Sequence, residues 1–292
     1  MSHRSGFVYI LGNPNVGKST IMNALVGEKL SIITPKAQTT RHRIMGIVNG
    51  DDFQIVYSDT PGILKPQYKL QETMMNSVNS ALSDADMILY VTDVKEQKAF
   101  EGDYADRIKE SGIPVIIAVN KVDLTNQDYL EKVVELWHLA FPHSPVLPVS
   151  GLRNFNLDSL LNAILSKLPE GEPFFPKDQL TDKYERFFAS EIIREKILTN
   201  YKKEIPYSVE IEIESFADEK NLIKIRALIH VTRESQKGII IGHKGAMLKK
   251  VGTEARLDME DFFGKKVFLE LYVKVTKDWR DKPLILRRFG YR

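Results

Sequence analysis

The chain has 292 residues, 43% of them hydrophobic and 27% charged, with a formal net charge of +2. That length fits two domains of ordinary size, and the composition is that of a globular protein, not of a disordered or fibrous one. There is no cysteine, which excludes disulfides, zinc–thiolate sites and a cysteine nucleophile. No signal-peptide core follows the first residues, and no apolar run approaches the roughly 18 residues of a membrane span. A cytoplasmic protein is expected, with peripheral attachment to the inner face of the cell membrane left open. Charge is unevenly spread: residues 1–175 hold 16 Lys/Arg against 20 Asp/Glu, and residues 176–292 hold 25 against 19. An acidic half joined to a basic half suggests two tasks, the basic one facing nucleic acid.

The first predicted strand covers residues 7–12. Directly on it follows Gly12-Asn13-Pro14-Asn15-Val16-Gly17-Lys18-Ser19-Thr20, which opens a predicted helix over 18–26. This G-x-x-x-x-G-K-[ST] pattern stands at a strand–loop–helix junction, the context that a phosphate-binding loop requires. Its glycines let backbone N–H groups curl around a phosphate, and the helix N-terminus adds partial positive charge. Residues 13–20 are assigned to nucleotide phosphates. Lys18 reaches the β/γ-phosphates and the Ser19 hydroxyl ligates Mg²⁺.

Further strands are predicted over 44–49, 53–58, 86–93, 114–120 and 145–149, alternating with helices over 70–83, 101–111, 127–140 and 155–167. Continuous apolar runs such as Val115–Val119 suit strands covered on both faces. The alternation predicts a doubly wound α/β domain with a mostly parallel sheet, whose ligands bind beyond the carboxyl ends of the strands. Three further motifs lie at such ends. Asp59-Thr60-Pro61-Gly62 offers a carboxylate for Mg²⁺ and the Gly62 N–H for a γ-phosphate. Asn120-Lys121-Val122-Asp123 offers the Asp123 carboxylate to the guanine N1–H and N2–H₂ edge, which adenine lacks. Asn120 braces the loop and Lys121 covers the ring. Ser150-Gly151 offers a backbone N–H to guanine O6 and is the weakest of the motifs. The polar stretch Gln38-Thr39-Thr40-Arg41-His42-Arg43 has no periodicity. One of its threonines is expected to complete the Mg²⁺ shell with GTP bound, Thr40 in preference to Thr39.

The order GNPNVGKST, QTTRHR, DTPG, NKVD resembles the translation-factor-related GTPases, and within them the Era family, over the whole chain. Ile63 follows Gly62 where Ras-like GTPases have a glutamine that orients water, so the resemblance implies slow intrinsic hydrolysis. Asn15 stands where related GTPases have a K⁺-ligating asparagine. Lys18, Asn15 and Thr40 are therefore expected to act on the transferring phosphoryl group.

Three prolines and a glycine within Pro169–Pro176 exclude a regular helix and place a linker over 171–182, between a GTPase domain (1–170) and a second domain (183–292). The second domain reads as a helix over 183–201, alternating strands over 207–215 and 223–231, a helix pair, and a strand over 267–275. The helix pair is joined by Gly242-His243-Lys244-Gly245. This α-β-β-α-α-β order with a G-x-x-G turn resembles the type II KH domain, an α+β fold whose loop clamps about four nucleotides. Ile240, Ile241, Gly242, His243, Lys244, Gly245 and Lys249 are the expected RNA-binding residues, with the apolar run Ile239–Ile241 contacting unstacked bases. The basic, aromatic tail over 277–292 either stacks on bases or packs on the KH domain.

The family resemblance implies a monomeric GTPase using GTP/GDP, Mg²⁺ and K⁺. It further implies binding of the small ribosomal subunit's 16S rRNA near its 3′ end and assistance in assembly of that subunit. Two alternatives remain: a nucleotide-gated RNA binder with negligible hydrolysis, and a membrane-surface regulator.

Overall fold

In the computed structural model, residues 3–96 and 103–291 are described. The first two residues of the helix predicted over 101–111 lie outside this range. By internal contacts the chain divides into two units. One comprises Met1–Ser31, Thr40–Lys65 and Met74–Asp182, and the other Ile32–Thr39, Pro66–Thr73 and Lys183–Arg292.

The first unit is built on six strands: β1 (Arg4–Leu11), β2 (Ile44–Asn49), β3 (Phe53–Asp59), β4 (Met87–Asp93), β5 (Val115–Asn120) and β6 (Val146–Pro148). They form one sheet in the order β2-β3-β1-β4-β5-β6, parallel except for β2, which runs antiparallel to β3. The apolar runs of β4 and β5 are buried at every position, as strands covered on both faces must be. Helices α1 (Lys18–Val26), α3 (Asp103–Glu110), α4 (Gln127–Ala140) and α5 (Leu157–Lys167) flank the sheet, and α2 spans Lys69–Ser83. The chain reverses direction across the sheet at β1, with β3 on one side and β4 on the other. A crevice at the carboxyl ends is the consequence. Register pairs Ile10 with Asp59 and Asp93 with Asn120, so the motif-bearing loops leave the sheet at one edge.

Residues 171–182 run along this same unit. The Ile47 N–H donates to the Leu180 carbonyl at 2.8 Å, the Met45 N–H donates to Asp182 Oδ1 at 3.0 Å, and Gly46 bridges Thr181, so the free edge of β2 is covered. Phe174 packs on Phe7, with ring centroids 4.7 Å apart. The fully buried amide of Gln54 ties the segment down. Its Oε1 accepts from the N–H groups of Phe174 (2.7 Å) and Phe175 (3.0 Å), and its Nε2 donates to the Phe175 carbonyl (2.8 Å).

In the second unit, α6 (Glu185–Asn200) and the short α7 (Ile205–Ser208) precede β7 (Glu210–Asp218) and β8 (Leu222–Val231). These are followed by α8 (Glu234–Ile241), α9 (Ala246–Phe263) and β9 (Lys266–Val275). β8 is central, antiparallel to β7 and parallel to β9. The alternating isoleucines of β7 and β8 point into one core with Ile193, Ile197, Val251, Ala255 and Met259 of the helices. Of the two readings of the tail, the structure favours packing for its aromatics. Trp279 is fully buried and donates to the Ser208 carbonyl at 3.1 Å, Phe289 packs on Trp279 and His230, and the Tyr291 hydroxyl donates to Glu210 at 2.6 Å. Among the described residues no helix is long and apolar enough to cross a membrane.

Replacing Gln54 by Ala leaves the Phe174 and Phe175 N–H groups without their acceptor, and should lower the stability of the chain by about 2–3 kcal/mol in urea unfolding. An unchanged midpoint would mean that residues 171–182 are held by other contacts.

Candidate functional site

The phosphate loop follows from backbone requirements. At Gly12 (φ 145°) a Cβ would stand 2.0 Å from the Val91 carbonyl oxygen, so only glycine lets the loop leave β1 here. Gly17 is also left-handed (φ 99°), and a Cβ there would meet the Asn120 amide at 2.2 Å. Lys18 opens α1 but is buried. Its ammonium donates to the carbonyls of Gly12 (3.1 Å) and Asn13 (2.9 Å), and burial pulls its pKa down to about 8 against the opposing charges of Asp59 and Glu96. Pro14 and Val16 complete the loop, and Thr20 lies in the first turn of α1. The Gly62 backbone lies against Pro14, where a Cβ would approach to 2.9 Å.

Three oxygens converge beside Lys18. The Ser19 hydroxyl is 2.7 Å from Asp59 Oδ2 and 3.0 Å from the Thr40 hydroxyl, which is itself 3.2 Å from Asp59 Oδ2. Asp59 is fully buried, and burial raises its pKa against the bond from Ser19 and the charge of Lys18. Its Oδ1 has no hydrogen-bond partner among the described residues. A buried carboxylate with an orphan oxygen beside two hydroxyls is a hard-oxygen donor set that fits Mg²⁺, an ion that takes one or two carboxylates together with substrate phosphates. Thr40 is the threonine that reaches this cluster, because the Thr39 hydroxyl is occupied by Thr34 (2.7 Å) and the Lys36 carbonyl (2.6 Å). Arg41 next to it is buried.

Asn120 joins the loops. Its Nδ2 donates to the Val16 carbonyl at 2.8 Å, and its Oδ1 accepts from the Gly151 N–H at 3.0 Å. Lys121, in left-handed conformation, donates to the Asn15 carbonyl at 2.5 Å and pairs with Asp93 at 2.7 Å. Buried Ser150 donates to Asp123 at 2.5 Å, leaving the exposed Asp123 a second oxygen. One side-chain amide thus ties the phosphate loop to the loops that carry Asp123 and Ser150.

In the second unit, α8 ends at Gly242 (φ 73°), where a Cβ would stand 2.7 Å from Met247, and α9 begins after Gly245 (φ 79°), whose missing side chain faces open space. His243, Lys244 and Lys249 are exposed. A groove beside the turn is lined by Leu248, Lys249, Thr253, Arg256, Leu269 and Leu271. The expectation for Ile240 needs correction. Residues 239–241 lie on a helix, where successive side chains turn by about 100° and cannot all line one groove. Ile239 is 49% exposed and Ile241 half-buried, whereas Ile240 is fully buried in the core, its carbonyl accepting from the Tyr201 hydroxyl at 2.6 Å.

A family model described as a 50S ribosome-binding GTPase matches residues 7–121, and one described as a KH domain matches residues 204–280. GTPase Era from Syntrophus aciditrophicus (strain SB) is 45% identical over 291 residues, covering 99% of this chain and 95% of the relative. This chain belongs to the Era family of GTPases. Era from Thermoanaerobacter sp. (strain X514) is 43% identical over 295 residues, covering 100% of this chain and 97% of its own. Among solved structures, an Era variant from Aquifex aeolicus bound to GDP and AlF4− superposes with a TM-score of 0.94 at 40% identity, covering 99% of both chains. Era in complex with MgGDPNP and nucleotides 1506–1542 of 16S ribosomal RNA superposes with a TM-score of 0.93 at 41% identity, again over 99% of both.

Two residues of this Era-family site stand outside the sequence motifs. Asp93 ends the buried strand β4 and holds Lys121. Glu96 accepts from Asn13 Nδ2 (2.6 Å) and from the Thr92 hydroxyl (2.5 Å). A carboxylate closing an otherwise apolar strand was the available signal for Asp93. Nothing in the sequence singled out Glu96.

A phosphate beside Lys18 raises the depressed pKa of its ammonium. GDP binding without Mg²⁺ at pH 8 should therefore take up about half a proton, and binding should weaken as pH rises through 8. Calorimetry in buffers of different ionisation enthalpy measures this, and Lys18→Gln should abolish the uptake. Binding with no proton exchange would contradict the buried, partly neutral lysine.

Proposed function

We propose that this chain is a Mg²⁺-dependent GTP-hydrolysing switch that binds 16S rRNA near its 3′ end and assists assembly of the small ribosomal subunit. The observation that carries this reading is the meeting of Ser19, Thr40 and Asp59 beside the buried Lys18, with Asn120 linking that cluster to the Asp123 loop. In this reading the GTPase domain covers 1–170, the linker 171–182 and the KH domain 183–292. The loop N–H groups and Lys18 hold the phosphates. Ser19, Thr40 and Asp59 hold Mg²⁺, which neutralises charge on the β/γ oxygens. Asp123 selects guanine by accepting from two donors that adenine lacks.

Ile63 packs against the apolar cluster of the first unit and has no polar atom with which to orient water. Intrinsic turnover is therefore slow, and stimulation must come from a further group. Asn15, exposed and left-handed beside the phosphates, is assigned to K⁺, which supplies positive charge near the β/γ bridge. In the second unit His243, Lys244 and Lys249 meet RNA phosphates, while Ile239, Ile241 and the groove along α9 and β9 receive unstacked bases. The protein acts as a monomer in the cytoplasm. Peripheral attachment to the membrane is the competing reading, and vesicle binding that survives RNase treatment would favour it.

GTP turnover should be faster in K⁺ than in Na⁺ at matched ionic strength, and an oligonucleotide of the 16S 3′ end should raise it further. Gly245→Asp, whose side chain meets no neighbouring atom though its backbone is left-handed, places a negative charge against the RNA and should remove the RNA effect while leaving RNA-free turnover intact. Equal rates in both salts would remove K⁺ from the mechanism, and tight RNA binding without stimulation would make the KH domain an address only.

Asp123→Asn should move specificity from GTP toward xanthosine triphosphate, measured by competition for binding. Retained GTP preference would overturn the assignment of Asp123.

A further inference from the structure

The segment Ile32–Thr39 belongs to the second unit, and its attachment there is specific. It closes on itself through the Thr34 and Thr39 hydroxyls, and the Lys36 N–H donates to Thr34 Oγ1 at 3.2 Å. It is tied to α6 at three places. The Lys36 ammonium caps the last carbonyls of that helix, those of Leu198 and Tyr201, where the helix dipole favours a cation. The Ile33 N–H donates to Glu195 at 3.4 Å. Arg194 Nη2 donates to the Thr39 carbonyl at 2.5 Å.

Arg194 is 1% exposed. Glu191, one turn earlier, holds one edge of the guanidinium with both carboxylate oxygens, Oε1 accepting from Nε at 2.8 Å and Oε2 from Nη2 at 2.5 Å. Nη1 has no hydrogen-bond partner among the described residues. An apolar side chain of similar volume would fill this place with no charge to desolvate and no orphan donor. Packing alone therefore does not account for an arginine here; beyond Glu191 the guanidinium lies in the field of Glu210 and Tyr291, and its hydrogen bond outside α6 is to the Thr39 carbonyl oxygen. That carbonyl and the Thr40 N–H belong to one planar peptide. Gripping the oxygen fixes the plane from which the Thr40 side chain departs, and the Thr40 hydroxyl is the one that stands 3.0 Å from Ser19 and 3.2 Å from Asp59.

We propose that Arg194 is a positioning residue for GTP hydrolysis: through the Thr39 carbonyl it sets the Thr40 hydroxyl at the Mg²⁺ position. The proposal rests on the GTPase reading above and adds to it a residue more than 150 positions away in the sequence. Arg194 directs its hydrogen bonds to Glu191 and to the Thr39 carbonyl, not to the side chains of Ser19, Thr40 or Asp59. It acts on the γ-phosphate-bound state, because in our reading Thr40 joins the ion only with GTP.

The test compares Arg194→Met with the wild type in the full chain. Turnover should fall about tenfold at saturating GTP with KM little changed, the pattern of a misplaced group in the reacting complex. Independently of turnover, the gain in affinity for a fluorescent non-hydrolysable GTP analogue on adding Mg²⁺ should shrink, while GDP affinity stays at the wild-type value. A purely structural role for Arg194 would instead lower both affinities with the melting temperature. If Arg194→Met does not fold, Lys36→Met serves in its place, since it releases the same segment from the end of α6 and should move both readouts in the same direction. Wild-type turnover and wild-type Mg²⁺ coupling in a folded Arg194→Met, or in Lys36→Met should that be needed, overturn the proposal. Absence of turnover in the wild type would be a different failure, that of the GTPase reading itself.

Discussion

A carboxylate with no access to water must be surrounded by donors or by a cation, and Asp59 sets that condition for the first unit. It sits at the end of β3, beside the strand that feeds the phosphate loop, and one of its oxygens is held by Ser19 and Thr40. To keep it there, α1 must begin at Lys18, which requires the left-handed Gly17, and the 40–43 segment must pass close to β3. The depressed pKa of Lys18 and the raised pKa of Asp59 express the same circumstance: two opposite charges share a dry site built for a third and a fourth.

The Asn120 side of the crevice follows a different logic. Asn120 is an uncharged amide with one donor and one acceptor in use, to Val16 and to Gly151. A neutral bridge of this kind transmits position without adding a charge of its own, so the loop carrying Asp123 is held in register with the phosphate loop.

The strands and their mostly parallel sheet were legible because continuous apolar runs and phosphate-loop spacing are local signals, whereas the order of the strands in the sheet is recorded in no local spacing. The strands over 44–49, 53–59, 87–93, 115–120 and 146–148 appear where the pattern placed them. Ser19 was legible for the same reason, since it has a fixed place in the phosphate-loop motif; Thr40 lies in a stretch without periodicity, where only the bonds of Thr39 to Thr34 and Lys36 separate the two threonines. Ile240 was misread because an apolar run says nothing of which residue on a helix faces inward, a matter settled by the sheet beneath α8. Glu96 and Arg194 were invisible for a third reason. Each acts through one backbone or side-chain atom far away in sequence, and no spacing records such a pairing.

The cover that residues 180–182 lay over β2 also has a temporal side. Gly46 and its partner Thr181 are far apart along the chain, so the bare edge of the sheet leaves the ribosome long before the segment that seals it. At ordinary rates of synthesis that interval is on the order of ten seconds. During it the nascent first unit presents unpaired strand atoms, the usual template for pairing with another chain. Residues 180–182 thus close the edge only late in synthesis, and a fragment ending before them would carry the open edge permanently.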